Sequence, residues 1–440
     1  MPLRFNSRRD LWSFNRLLSG SKLNIEVFLM RGLFVSILLT VFPYSVAAQT
    51  HQHGAMSDGE GQFNPYVTSD ARDGFYLAYV QRQGGQSNVY MRHSSDGRTF
   101  SDPVRVNGRD GDAAVRNENP PKVIAGPNNQ VYVCWANERE KWKGNIRFAR
   151  STDGGRTFAP AITINSDGDG GPAGHAFQSI AVDRQGRIYV AWIDERNKKM
   201  SDRGAEIWLA ESSDQGQSFS RDRRVLGDVC ECCRTSLQIN LNGVIYLTYR
   251  TVPRDGPMYR DIVLAQSRDG GRSFARTVVS HDNWEVNGCP VAGPSFSVDR
   301  AGHVTVVWFM GGEKPGLYYA TSTNAGRSFS PRQPIDSERH DGRHAQAIQL
   351  ANGRTLVAWD YGLDKVSAAW GFLDPQKEKG LVEKSNGYEG ISYPTVATSG
   401  RLVVVAGMRS ATREIVTYVE AAGSSSGSVK GADEHGASKQ

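Results

Sequence analysis

Residues Ile188–Trp192 read IYVAW, and the same apolar alternation returns as Phe75–Tyr79 (FYLAY), Val131–Trp135 (VYVCW), Ile245–Tyr249 (IYLTY), Val304–Trp308 (VTVVW), Thr355–Trp359 (TLVAW) and Leu402–Ala406 (LVVVA). Their last residues lie 56, 57, 57, 59, 51 and 47 positions apart. Self-similarity at a period of this length marks a repeated supersecondary unit. Short runs rich in β-branched and aromatic residues suit a pleated strand. Five copies carry a glycine two residues before the run (Gly186, Gly243, Gly302, Gly353, Gly400), as a tight hairpin turn requires. Another short strand precedes each run, as in Phe177–Asp183, and a third follows, as in Ile207–Glu211 or Ile262–Gln266. A weaker fourth closes most units, as in Arg224–Leu226. Four antiparallel strands per unit, with no sustained helical periodicity, predict an all-β chain folded as a β-propeller of four-stranded blades. Seven triplets of strands favour seven blades. Six is the alternative, because the last two units are shorter and the seventh lacks a clear fourth strand.

A second signature follows the third strand in five units. It reads Ser94 to Phe100 (SSDGRTF), Ser151–Phe158 (STDGGRTF), Ser212–Phe219 (SSDQGQSF), Ser267–Phe274 (SRDGGRSF) and Ser322–Phe329 (STNAGRSF). The pattern resembles the Asp-box, or BNR repeat, of the sialidase-like propellers, S-x-D-x-G-x-T/S-aromatic. The first copy is one residue short, the fifth has Asn324 for Asp, and all carry Phe where Trp is commoner. Asp or Asn accepts backbone N–H bonds in such a turn, Gly supplies a positive φ and the aromatic packs between neighbouring sheets. The boxes therefore read as staples of the fold, and Asp96, Asp153, Asp214 and Asp269 as structural residues.

The chain has 440 residues, and its hydrophobic share of 39% with 47 glycines provides for a large core. Net charge is +6, of which the first 48 residues supply +4 through Arg4, Arg8, Arg9, Arg16, Lys22 and Arg31 against Asp10 and Glu26. The remaining +2, scattered among acids, gives no electrostatic case for nucleic acid. Leu33 to Ala48 (LFVSILLTVFPYSVAA) follows Arg31 as an uncharged apolar run ending in small residues, a secretory signal pattern. It is short for a spanning helix, so no stable membrane anchor is expected after cleavage. A start at Met30 gives a compact signal. The expected organisation is an extension and signal over 1–48, a flexible leader over 49–63, the sialidase-like propeller over 64–422 and a disordered Ser/Gly-rich tail over 423–440. The expected location is periplasmic or secreted, where disulfides are permitted.

In a propeller, the loops leading into the innermost strands all open on one mouth. Here they contain Arg116-Asn117-Glu118-Asn119, Gly174-His175, Cys230-Glu231-Cys232-Cys233-Arg234, Asn287-Gly288-Cys289-Pro290, Arg343-His344 and Tyr388 to Tyr393. Four of the five cysteines and two histidines thus converge by topology. The fifth, Cys134, stands where sister strands have Ala191 and Ala358, as an inert core thiol. The other four admit three readings. They form two disulfides stapling adjacent blades; or Cys230, Cys232, Cys233 and Cys289, with His175 or His344, ligate copper or zinc; or Cys232 and Cys233 act in redox chemistry. Gln49-Thr50-His51, at the terminus left by cleavage after Ala48, adds a third-position His able to chelate Cu(II). Asp167-Gly168-Asp169-Gly170 reads as a solvated turn, with calcium as the lesser alternative.

The family resemblance implies a further reading. Sialidases grip the substrate carboxylate with three arginines and attack with a Tyr paired to a Glu; Arg116, Arg234, Arg343 and Tyr393 are the residues placed to do so here. The family's F/Y-R-I-P motif is absent, and no Glu–Arg spacing fits its pattern. The first expectation is therefore an exported binding or metal-handling module with a Cys/His cluster at the mouth, taking a small-molecule, glycan or metal ligand. The second is an exo-sialidase-type glycoside hydrolase acting on sialic acid or another acidic sugar. The third is a disulfide-stapled scaffold for a protein or glycan partner.

Overall fold

The computed structural model describes residues 59–421, apart from 71, 117, 139–142, 169–170, 172, 200–201, 351, 375–379, 386 and 400–401. The expected signal segment, most of the leader, the tail, Asn117, Asp169, Gly170 and Gly400 lie outside the described residues. No α-helix occurs among those described, and so none long and apolar enough to cross a membrane.

Seven antiparallel sheets follow one another along the chain, each with its strands in sequence order. The first contains β1 (Gly61–Ser69), β2 (Phe75–Gln83), β3 (Gln86–Ser94) and β4 (Val104–Arg105); the second β5 (Lys122–Ala125), β6 (Val131–Ala136), β7 (Ile146–Ser151) and β8 (Ile162–Thr163). The third contains β9 (His175–Val182), β10 (Ile188–Asp194), β11 (Ala205–Ser212) and β12 (Arg223–Val229); the fourth β13 (Ser236–Ile239), β14 (Ile245–Arg250), β15 (Ile262–Ser267) and β16 (Ala275–Ser280). The fifth contains β17 (Ser295–Val298), β18 (Val304–Met310), β19 (Gly316–Ser322) and β20 (Gln333–Pro334). The sixth contains β21 (Arg343–Gln349), β22 (Thr355–Tyr361), β23 (Ser367–Leu373) and β24 (Leu381–Lys384), with β25 (Tyr388–Glu389) also paired to β23. The seventh has β26 (Ile391–Thr398), β27 (Leu402–Arg409) and β28 (Glu414–Ala421). Seven blades replace the six-blade alternative, and every alternating run quoted above is a second strand. The seventh blade has three strands among the described residues, and the sixth has an extra pairing, so the four-stranded plan holds for blades one to five.

The period exists because no blade covers its own faces. Seven apolar clusters each join two neighbouring blades. Trp135, Trp192, Trp308 and Trp359 of the second strands are wholly buried in them. The ring closes through the same kind of contact: Val67, Phe75, Leu77 and Tyr79 of blade one pack on Ala397, Val404 and Ala406 of blade seven. Gln62 N donates to Arg413 O at 2.6 Å, and Ile415 N donates to Gln62 Oε1 at 2.9 Å. No strand is shared between first and last sheets.

The box turns bind as their residue types require. Asp153 Oδ1 accepts from Arg156 N and Thr157 N at 3.0 Å each and from Ser151 Oγ at 2.7 Å. Gly216 has φ +77°, and a Cβ there would lie 2.7 Å from the Phe148 ring of the preceding blade. Phe219 meets that ring edge-on, with centroids 4.9 Å apart.

Candidate functional site

The innermost strands β1, β5, β9, β13, β17, β21 and β26 surround a central cavity of about 120 Å3. At its mouth the backbone does something unusual. Asn64, Glu118, Phe177, Val291, His344 and Tyr393 all have φ between +46° and +57°, one at the start of six of the seven inner strands. The ladders slip at Phe63/Tyr66, Arg343/Gln346 and Ser392/Thr395. A non-glycine residue held in this region is strained, and bulges of this kind re-aim side chains.

Three of the redirected residues, Glu118, His344 and Tyr393, line the channel. Glu118 Oε1 accepts from Arg234 Nη1 at 2.5 Å, and its Oε2 accepts from Gly293 N at 2.7 Å. Arg234 Nη2 donates to Ala345 O. On the far wall, Asp360 holds two strained residues together: it bonds His344 Nδ1 at 2.9 Å and accepts from Tyr393 N at 2.8 Å. The His344 and Tyr393 rings lie 4.3 Å apart. Burial opposes the His344 cation, but Asp360 outweighs it, so the pKa is raised. Burial, then the Asp360 and Glu118 charges, push the Tyr393 phenol far above its ordinary value.

The other predicted residues are divided between separate environments. Arg116 pairs with Glu138 at 3.1 Å. Arg343 begins β21 at the mouth, half-buried. His175 is enclosed: Nδ1 bonds Gly144 O at 2.6 Å, and Nε2 lies 3.1 Å from Asp167 and 3.3 Å from Asp194. Burial alone would lower its pKa, yet the two carboxylates push it up to about 9. Arg196 completes that cage, 2.7 Å from both Asp194 and Asp222.

The four lead-in cysteines do assemble. Cys232 and Cys289 form a disulfide between the loops leading into blades four and five, with Cα atoms 6.2 Å apart. Cys230 and Cys233 are free and fully buried, their sulfurs 3.2 Å apart, and Cys230 Sγ is 3.6 Å from Cys232 Sγ. Sulfurs of Cys230, Cys232 and Cys233 all lie within 4.8 Å of one another. Cys134 is buried in the core between blades two and three, its thiol pushed up to about 12 by burial.

Two buried guanidiniums adjoin this cluster. Arg260 Nη1 is 3.4 Å from Cys230 Sγ, and its other nitrogens donate to Val286 O and Gly288 O. Arg250 donates to the carbonyls of Arg260, Ala292 and Phe309. Among the described residues neither has a carboxylate in ion-pair range. Burial raises the Cys230 thiol, but the hydrogen bond shared with Cys233 and the Arg260 charge outweigh it, leaving its pKa lowered. Cys233 is driven the other way, first by burial and then by Cys230. The two thiols are thus shifted in opposite directions, Cys230 being the more acidic of the pair.

The first strand-end residue after the repeated run was the missed signal. Sister strands place Ala136, Ile193 and Phe309 there, whereas the fourth and sixth carry Arg250 and Asp360. Both charged exceptions belong to the mouth.

No protein-family model matches the chain, and no curated protein is similar to it in sequence. Solved structures do resemble it. A protein of unknown function from Dyadobacter fermentans is 14% identical, with 83% of this chain and 96% of that one covered and a TM-score of 0.50. A polysaccharide lyase, the PL25 ulvan lyase, is 11% identical over 84% and 96% of the two chains, with a TM-score of 0.55. The NanB sialidase of Streptococcus pneumoniae is 10% identical over 81% and 91%, at 0.47. At these identities the likeness concerns the fold alone.

Proposed function

We propose that the chain is an exported metal-handling propeller whose Cys230, Cys232 and Cys233 sulfurs take one Cu(I) ion. The observation that carries this is three sulfurs converging beside two buried guanidiniums that have no carboxylate partner among the described residues. Thiolates are soft ligands that select Cu(I) and Zn(II). A zinc site wants four ligands in a tetrahedron, and among the described residues no fourth donor joins the three sulfurs: His175 is enclosed by carboxylates, and His344 lines the central cavity and is not part of the cluster. A two- or three-thiolate copper centre carries net negative charge, which Arg250 and Arg260 offset. Cys230 and Cys233 bind as the structure stands; Cys232 joins only after an external dithiol reductant delivers two electrons to its bond with Cys289, releasing both thiols and leaving the dithiol as its own disulfide. Titrating reduced protein with Cu(I) against bicinchoninate tests this. One equivalent retained by wild type and none by Cys230→Ser/Cys233→Ser is expected; equal retention refutes the reading.

Cleavage of sialic acid or another acidic sugar draws on Arg343 and on Tyr393, whose ring lies beside that of His344. It has less support, because Arg116 and Arg234 are already neutralised by Glu138 and Glu118. Release of 4-methylumbelliferone from its sialoside, abolished in Tyr393→Phe, would favour it over copper handling. A purely scaffolding role draws on the Cys232–Cys289 staple and predicts neither activity.

A further inference from the structure

The central cavity is a second site, separate from the sulfur cluster. Lys122, the first residue of β5, lines it together with Tyr66, Arg234, His344, Gln346 and Tyr393. Lys122 Nζ lies 4.0 Å from the centre of the Tyr66 ring and makes no hydrogen bond or ion pair among the described residues. Among the described residues His344 is hydrogen-bonded through Nδ1, to Asp360, with no partner at Nε2. Gln346 spends its carbonyl oxygen on Val396 N, which leaves its amide donors. Glu118, the carboxylate on this wall, already receives Arg234 Nη1 and Gly293 N. What the cavity offers is an ammonium, an imidazole N–H, an amide and phenol hydroxyls around a small polar space, with the acid consumed.

We infer that this cavity binds a small oxyanion, a phosphate or a two- to three-carbon carboxylate, with Lys122 as its principal charge partner. Size sets the scale: a cavity of roughly 150 Å3 accommodates a six-atom ring such as benzene, so about 120 Å3 holds an ion of similar or smaller size.

Ligand binding is coupled to protonation. Lys122 faces Tyr66 from β1, Glu118 from the preceding loop, Cys134 from β6, Arg234 before β13, and His344 and Tyr393 across the cavity. Burial, followed by the Arg234 charge, brings its pKa down to about 7. An anion at Nζ restores the cation and raises that pKa, so binding above pH 7 takes up a proton. Affinity should therefore fall as pH rises beyond about 7.

The test is isothermal titration of the full mature chain with inorganic phosphate and, separately, lactate, in two buffers of different ionisation heat at pH 8. Binding of either probe with proton uptake is expected, weakened at least tenfold in Lys122→Met. Preference between the probes identifies the source of the anion. Thermal unfolding of the variant confirms that it is folded, and Lys122→Arg, which keeps the charge without the proton exchange, should bind with no proton uptake. Absence of binding by both probes at millimolar concentration, or equal affinity in a folded Lys122→Met, overturns the inference.

Discussion

Glu118 and Arg234 stand 116 residues apart and meet at 2.5 Å inside the channel, joining blade two to the loop that leads into blade four. The same two side chains reach Gly293 and Ala345, so one ion pair braces four lead-in segments. Its position also decides chemistry, because a guanidinium held this way is not free to grip a substrate carboxylate.

Removing one partner of such a pair leaves the other charge buried and alone. Glu118→Ala should destabilise the propeller by about 3–5 kcal/mol. Glu118→Ala/Arg234→Met should cost less than the single change, since both charges leave together. Urea unfolding of the single and double variants checks this; a double variant that loses the sum of both single effects would contradict the brace.

His175 gives a pH dependence with a definite sign. Its folded pKa of about 9 lies above the unfolded value near 6.5. The stability it contributes is fully present below pH 6.5 and disappears as pH rises through 9. The window corresponds to about 3 kcal/mol at most, and the lowered pKa values of Asp167 and Asp194 describe the same ion pairs from the acid side. The stability gap between wild type and His175→Gln, measured by urea titration, should be large at pH 6 and small at pH 10. A gap constant over that range would exclude a protonated His175.

The fifth box supplies a natural control for the others. Asn324 Oδ1 accepts from Arg327 N at 3.1 Å and Ser328 N at 3.0 Å, the bonds that Asp153 makes with its charge. Asp153→Asn should thus change stability by less than about 0.5 kcal/mol, whereas Asp153→Ala should lose about 1–2 kcal/mol of hydrogen bonding. Chemical denaturation of the pair distinguishes a turn staple from a charge requirement, which equal losses would indicate.

The strands and box turns were legible because each is encoded locally: IYVAW carries its own alternation, and STDGGRTF contains every donor and acceptor of its turn. Convergence of the four cysteines followed from topology. Their pairing did not, because connectivity depends on which loops meet after the ring closes. The positive φ values at Glu118, His344 and Tyr393 have no local signature such as glycine; bonds from other strands, Asp360 above all, hold them. His175 likewise looked like a mouth residue, yet its partners Asp167 and Asp194 lie on either side of it in sequence and enclose it. Lys122 gave no signal at all, being one lysine among many until six other strands surround it.

Copper-edge X-ray absorption of reduced, Cu(I)-loaded protein tests the central claim most directly. A first shell of two or three sulfurs with no nitrogen, lost in Cys230→Ser/Cys233→Ser, is the predicted result. Histidine nitrogen in the first shell, or copper retained unchanged by the double variant, would contradict it.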